Sequence, residues 1–560
     1  MSGLFNVGDL LTTASGKYAG RVAVSVPISG HGASTRYQHH TFRQLNDECD
    51  RYARGLRELG IKDGARTLLF VKPGFDFMAL AFALFKTGAV PVMIDPGVGK
   101  QNFLNCVRQA EASALIGIPK AHIGRILYPG YFRTVDKFIT VGPRLFWGGH
   151  SWKKVRKEGA EPFTTAPTRE EDTAAILFTS GSTGAPKGVV YEHGIFGAQV
   201  RLIQRQYGIT GNDVDLPAFP LFALFSVSMG MRVVIPRIDP TRPVSADPAE
   251  VVEAINSQKV TFTFGSPAIW RKVSAYCVDN GVKLPTLKKA LMAGAPVRDS
   301  IHHRLLRHGV LSPGAATHTP FGATECLPIA DITGEEVLSE TSESTKQGHG
   351  VCVGKPLPEI RVEIIGINDG VIDNWDETLC LAPGRIGEIA ATGPVVTRQY
   401  YGLPENTRLA KIYDKKTGAV WHRMGDAGYK DEKGRIWFCG RKSHRVVTNN
   451  GPLFTIPCEA VFNQHPQVFR SALIGIGQAP EQMPVIVVEL NRSSCDADKG
   501  KIASELFELG AKNPISAPIK LIVFHNEFPT DARHNAKIFR ENLKDWAESL
   551  PASGFYKAAP

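Results

Sequence analysis

The chain has 560 residues, which predicts two to four domains at about 100–200 residues each. Hydrophobic residues make up 43% and charged residues 21%, a globular balance that excludes a disordered chain. The net charge of +11 suits an anionic ligand, but it is spread without a block of like charge, so nucleic-acid binding is not expected. The densest basic cluster, Lys153-Lys154-Val155-Arg156-Lys157, reads as a solvated surface segment. Nine cysteines, odd in number and without a CxxC pair, read as reduced thiols of a cytoplasmic protein. Residues 1–11 lack a basic start followed by an apolar run, so no signal peptide is expected.

In chain order, residues 42–59 carry apolar side chains at helical spacing, and Gly60 stands at the expected stop. Residues 67–71 read as a buried strand, 75–85 as a helix, and 89–94 as a strand closed by Asp95-Pro96-Gly97. Strand, helix, strand predicts a parallel sheet with helices on its faces. Residues 174–178 form another apolar strand before a glycine-rich turn. The uncharged run 216–231 is shorter than the roughly 18–20 residues a bilayer needs and is broken by Pro217, Pro220 and Gly230, so no transmembrane segment is expected. Strands are predicted at 260–264 and 289–292. From 353 to 391 short alternating stretches, 361–365 and 387–391 among them, predict an antiparallel or barrel-like subdomain. Past Gly440-Arg441 the chain restarts with strands at 471–476, 484–490 and 519–524 and helices near 502–509 and 538–550, while 551–560 reads as a frayed end. The expected architecture is α/β: a large domain over residues 1–440, with parallel-type sheets, flanking helices and a barrel-like β subdomain, and a small α+β domain over 441–560.

The most informative stretch is Thr179-Ser180-Gly181-Ser182-Thr183-Gly184-Ala185-Pro186-Lys187-Gly188. Three glycines permit positive φ, so that successive backbone N–H groups can face one concavity. Four hydroxyls and the Lys187 charge complete a phosphate cradle. It is not a Walker loop, which needs G-x-x-x-x-G-K-[ST].

This string resembles the signature loop of the acyl-adenylate-forming superfamily, which includes acyl-CoA synthetases, peptide adenylation domains and luciferases. Further segments resemble that family's motifs in the same order. Gly294, Ala295 and Pro296 match its adenine-side segment, and Phe321-Gly322-Ala323-Thr324-Glu325 its aromatic-Gly-x-Thr-Glu motif. Met424-Gly425-Asp426 and Gly440-Arg441 match its ribose-binding pair, with Gly387-Glu388, Gly393-Pro394 and Tyr400-Tyr401-Gly402 as further landmarks. The resemblance implies ATP as substrate and Mg²⁺ held by Glu325 with Thr183. It implies that Thr324 contacts phosphate and that Asp426 and Arg441 hold the ribose. The segment around Lys537 resembles the last motif, which implies that Lys537 bridges the acid and the α-phosphate from a mobile C-terminal domain. Ala536 stands where the family has Gly, and the implied hinge is Ser443.

The second step is less legible. Ala223, in Phe219-Pro220-Leu221-Phe222-Ala223, stands where the family usually has His, and the apolar run around it suits either an alkyl chain or plain core packing. Within the superfamily the variants most resemble the β-lactone synthetases of bacterial long-chain olefin biosynthesis. That implies a long-chain β-hydroxy acid substrate, closure to a β-lactone, and partner enzymes of an olefin pathway assembly. Long-chain acyl-CoA synthesis stays open as the alternative. His193, His318 and His534 are weak candidates for a base.

Overall fold

A computed structural model describes residues 3–179, 185–239, 242–491, 494, 498–530 and 538–558, without the side chains of Ala33 and Thr179. The helix expected from residue 42 forms at Phe42–Glu58. Thr41 and Gln44 cap it reciprocally, each side chain accepting from the other's backbone N–H. Gly60 ends the segment at φ +72°, a conformation that suits glycine. The buried face of this helix packs on Phe75–Lys86, in which every residue from 77 onward is buried.

Two seven-stranded sheets flank these helices. Across its width the first runs His150–Ser151, Lys137–Thr140, Ala114–Gly117, Arg66–Phe70, Val90–Ile94, Thr173–Thr179 and Lys187–Glu192. All neighbours are parallel except the last pair. The second runs Ala316–His318, Lys289–Met292, Phe262–Gly265, Val214–Pro217, Arg232–Val234, Val22–Ser29 and Arg36–Thr41, and again only the last pair is antiparallel. One apolar cluster joins both sheets through helices Val7–Tyr18, Phe42–Glu58, Phe75–Lys86 and His193–Tyr207. Each fully buried Leu, Ile or Phe in it contributes about 1.5–3 kcal/mol.

The third sheet is antiparallel and eight-stranded, as the short alternating stretches predict. It contains Phe321–Ala323, Cys326–Asp331, Val351–Pro356, Ile436–Arg441, Val420–Lys430, Gly387–Thr392 and Arg361–Ile365 in that order, with Lys411–Tyr413 against Val420–Lys430. The chain leaves this sheet after Arg441. A four-stranded sheet follows, made of Val468–Ile476, Met483–Leu490, Leu521–Phe524 and Tyr556–Lys557, with helices Lys499–Ala511 and Arg540–Glu548.

Two elements differ from the expectation. The segment 551–560 was expected to be frayed, and its described residues, 551–558, are not simply so. Tyr556–Lys557 pairs with Leu521–Phe524, and the Tyr556 ring stands edge-on to Phe524 at 5.4 Å, so two apolar rings anchor a tail whose composition looks like coil. Helix Val7–Tyr18 and the hairpin after it carry no strong periodic signal. Asn6 caps the helix, its side chain accepting from Gly8 N at 2.8 Å. The run 216–231 divides into strand Val214–Pro217 and helix Phe222–Ser228. Among the described residues no helix is long and apolar enough to cross a membrane.

Lys86 is fully buried at the end of its helix. Its ammonium donates to Asp50 Oδ1 at 2.6 Å and Asn46 Oδ1 at 2.8 Å, and Asp50 Oδ2 accepts from Phe163 N. Removing one partner strands the other charge in the core. Asp50→Ala should lower the unfolding free energy by about 3–5 kcal/mol in denaturant titration, and Asp50→Leu with Lys86→Met should recover most of the loss.

Candidate active site

Strands Thr173–Thr179 and Lys187–Glu192 form a hairpin in which Thr179 pairs with Lys187, so the glycine-rich loop connects two adjacent strand ends. Ser180, Gly181, Ser182, Thr183 and Gly184 lie outside the described residues. The Lys187 ammonium stands 5.0 Å from the centre of the Tyr400 ring.

Thr324 and Glu325 form the turn of the hairpin Phe321–Ala323/Cys326–Asp331. Gly322 is a steric requirement there. A Cβ would lie 2.7 Å from Cys326 O and 2.8 Å from Leu327 Cβ. Phe321 packs its ring 6.0 Å from that of Phe438. Three hydroxyls fix the turn. Tyr400 donates to Glu325 Oε1 at 2.6 Å, and Tyr191 donates to Thr324 O at 2.7 Å. Thr397 donates to Glu325 O from both Oγ1, at 3.1 Å, and N, at 2.9 Å. The Tyr400 segment is bonded in turn to the strand that carries Lys187, through Val190 N to Gln399 O and Tyr401 N to Gly188 O. The motif residues Lys187, Thr324 and Glu325 are thereby brought together.

Beneath them lies a charge that no motif announced. Lys411 is fully buried, and its Nζ donates to Thr397 Oγ1 at 3.3 Å. Burial pulls its pKa down to about 8, against the opposing pull of Glu325. His422 is pushed well below its ordinary value by burial and by Lys411, so its ring is neutral. Burial raises the hydroxyl of Tyr400, helped by the Glu325 charge, which keeps the phenol a donor.

Asp426 and Arg441 face each other on strands Val420–Lys430 and Ile436–Arg441. Arg441 Nη1 donates to Asp426 Oδ1 at 2.6 Å. Burial raises the Asp426 carboxyl and Arg441 opposes the rise. The charges of Glu325 and Arg441 both reach Asp426, so this pair shares one electrostatic neighbourhood with the Glu325 turn. Directly after Arg441, the Lys442 ammonium lies 3.1 Å from the buried Glu388 carboxylate, which Arg423 also holds at 2.7 Å.

Gly294, Ala295 and Pro296 follow strand Lys289–Met292 at its C-terminal end. Gly294 takes φ +92°, and Gly294 and Pro296 are exposed. Lys537 lies outside the described residues. The described residues on either side of it pair with one another, by a bridge between Thr530 and Ile538 and by Phe539 N to Pro529 O at 2.9 Å. Arg540, just beyond, pairs with the buried Glu459. His534 also lies outside the described residues.

Ala223 is buried at the start of helix Phe222–Ser228, beneath an aromatic file. Phe222 stacks on Phe264 at 3.7 Å and Phe225 on Phe196 at 4.4 Å, and Phe219 lies 5.6 Å from Phe264. Phe219 and Phe222 keep part of their faces accessible. Behind the file, burial pushes the Asp215 carboxyl up to about 7, although Ser226 Oγ lies 2.5 Å from its Oδ2. His193 is a structural acceptor for Val7 N, held at a pKa of about 4 by burial, and His318 pairs with Asp331 at 2.8 Å. Neither faces the turn in these contacts.

A model of the AMP-binding enzyme family matches residues 11–401. The chain belongs to the AMP-binding enzyme family. It is an enzyme of the adenylate-forming ligase type. The olefin beta-lactone synthetase of Xanthomonas campestris pv. campestris is 41% identical over 98% of this chain and 98% of its own length. That of Stenotrophomonas maltophilia is 43% identical over 93% of each chain. O-succinylbenzoate coenzyme A synthetase from Bacillus subtilis, solved with ATP and magnesium ion, superposes with a TM-score of 0.73 at 21% identity over 96% of this chain and 99% of its own, a likeness of fold.

For this AMP-binding enzyme the motif residues were legible in sequence, whereas Tyr191, Thr397, Tyr400 (as a donor to Glu325) and Lys411 were not. They reach the turn across long separations, and none has local spacing that signals it. Tyr400→Phe removes the 2.6 Å donor from a carboxylate and should lower kcat/KM for pyrophosphate release by about 10–100-fold, the scale of one charge-assisted hydrogen bond. Lys411 has a depressed folded-state pKa, so between about 8 and its ordinary value of 10.5 the unfolded chain binds more protons and stability rises with pH. Lys411→Met should flatten that rise in urea titrations across the window.

Proposed function

We propose that this enzyme activates a long-chain 2-alkyl-3-hydroxy acid as acyl-AMP and closes it to a β-lactone, releasing pyrophosphate and then AMP. The observation that carries the reading is similarity over essentially the whole chain to two olefin beta-lactone synthetases. The acid's carboxylate oxygen attacks the α-phosphorus of ATP and pyrophosphate leaves. The substrate's own β-hydroxyl oxygen then attacks the acyl carbon, the bond to AMP breaks, and the hydroxyl proton is released. Intramolecular attack needs no second acceptor, because both reacting groups are already held at high effective concentration.

The residues have separate tasks in this scheme. Lys187, with the hydroxyls of Thr179, Ser180, Ser182 and Thr183, faces the phosphates. Thr324 donates to the α-phosphate. Asp426, kept in place by Arg441, accepts from the ribose hydroxyls, and Ala295 and its neighbours line the adenine side. Lys537 comes between carboxylate and α-phosphate, cancelling their repulsion. Mg²⁺ fits the donor set, since a hard cation takes carboxylate and phosphate oxygens and Glu325 offers a carboxylate on a turn held from three directions. With Thr183 as its second holder it would supply charge neutralisation for the phosphates. The aromatic file around Ala223 suits an alkyl branch.

We place the domain boundary at 440/441, at the end of the third sheet, and the pivot two residues on, at Ser443. Partner enzymes of an olefin pathway would supply the hydroxy acid and consume the lactone.

The test is product analysis by mass spectrometry and NMR with ATP, Mg²⁺ and a long-chain β-hydroxy acid, with and without coenzyme A. Lactone formation independent of coenzyme A is expected. Faster acyl-CoA formation from the same acid would overturn the lactone step in favour of an acyl-CoA synthetase. Lys537→Ala should slow adenylation by about 10²–10³-fold, and near-normal pyrophosphate release would remove that residue from its role.

A further inference from the structure

The basic charge is not spread as evenly as whole-chain composition suggests. Residues 119–157 contain nine Lys and Arg (Lys120, Arg125, Arg133, Lys137, Arg144, Lys153, Lys154, Arg156, Lys157) and one acid, Asp136. This segment therefore holds a net +8 of the chain's +11, and the other residues together hold +3. Among the described residues the same segment holds five of the twelve most exposed large apolar side chains: Ile123, Ile126 and Leu127 on helix Pro119–Leu127, and Leu145 and Phe146 in the loop 142–149.

Helix and loop form one face. Arg125 donates to Trp147 O, the His122 and Trp147 rings stack at 5.7 Å, and Phe146 stands edge-on to Trp147 at 5.4 Å. Leu127 is 65% exposed and Phe146 81% exposed. Lys120 stands on the same helix and Arg144 in the same loop as these apolar tips, and Lys153 and Lys154 follow the loop two residues after the short strand His150–Ser151. All four are exposed and, among the described residues, none is in an ion pair, whereas Arg156 and Lys157 are paired with Glu48 and Glu58. Large apolar tips in a segment of uncompensated cations are poorly suited to water and well suited to the boundary between anionic headgroups and acyl chains. The loop 142–149 leaves its sheet at the same end as Thr179, four strand spacings away, or about 19 Å.

We infer that the face formed by helix Pro119–Leu127 and the loop 142–149 docks this protein reversibly on an anionic lipid surface. Charge selects the occupant. A second copy would bring another +8 to the contact, while an anionic bilayer accepts both the cations and the apolar tips. Docking would set the phosphate-loop end of the first sheet beside the phase in which a long-chain acid partitions, although the surface itself does not depend on the identity of that acid.

The test is vesicle flotation of the full chain with phosphatidylcholine alone and with about 30 mol% phosphatidylglycerol, at about 50 and 500 mM salt. Flotation only with the anionic vesicles, weakened at high salt, is expected. Lys153→Glu with Lys154→Glu should lower the partition constant at least about 25-fold, at about fivefold per basic residue. Leu145→Ser with Phe146→Ser should lower it at least about tenfold. Adenylation of a short soluble acid should be unchanged in both variants, which separates this surface from the catalytic reading. Equal behaviour with both vesicle types, or variants that float as the parent does, would overturn the inference. So would absent flotation with a concentration-dependent dimer that the Leu145/Phe146 variant dissolves, which would assign the face to a second copy.

Discussion

The site depends on holding one two-residue turn still. Thr324 and Glu325 belong to a hairpin with short arms, and a turn of that kind would not by itself fix a carboxylate. Tyr191 comes from the first sheet, and Thr397 and Tyr400 from the segment that crosses between sheets, so three side chains from two parts of the chain bond the turn. Because the Tyr400 segment is itself bonded to the strand of Lys187, the Glu325 carboxylate and Lys187 are held through one set of hydrogen bonds. Holding both groups through bonds already made is the form of preorganisation that electrostatic catalysis uses.

The surrounding charges are arranged in depth. Arg441 and Lys187 are half-buried, Lys411 lies fully buried under Thr397, and His422 beside it is neutral. A buried cation is costly, and the Glu325 charge offsets part of that cost by favouring the charged form of Lys411. A substrate polyanion then meets a field that is already organised.

Much of this was legible in sequence where the signal is local. Strands Lys289–Met292 and Arg361–Ile365 stand at the positions their apolar pattern predicts, and helix Phe42–Glu58 ends one residue early. Gly322 was read as part of a motif, and its reason is steric: the hairpin arms come too close for a side chain. What was not legible is of two kinds. Tyr191, Thr397 and Lys411 act through contacts between residues far apart in sequence, and a tyrosine, threonine or lysine carries no mark of its eventual partner. Helix Val7–Tyr18 and strand Tyr556–Lys557 are short or weakly patterned and are fixed by tertiary packing. The motif segments around Thr183 and Lys537 lie outside the described residues, so their roles rest on resemblance.

Strand Tyr556–Lys557 has a consequence for handling the protein. Leu521–Phe524 is a run of four large apolar residues whose outer backbone groups would otherwise form an open sheet edge. A two-residue strand that ends in lysine covers it and leaves only a short, charged edge in its place. Material trimmed before Tyr556 would keep its catalytic motifs and still present an aggregation-prone edge, so loss of solubility in such a fragment would report an uncovered strand and not a failed fold.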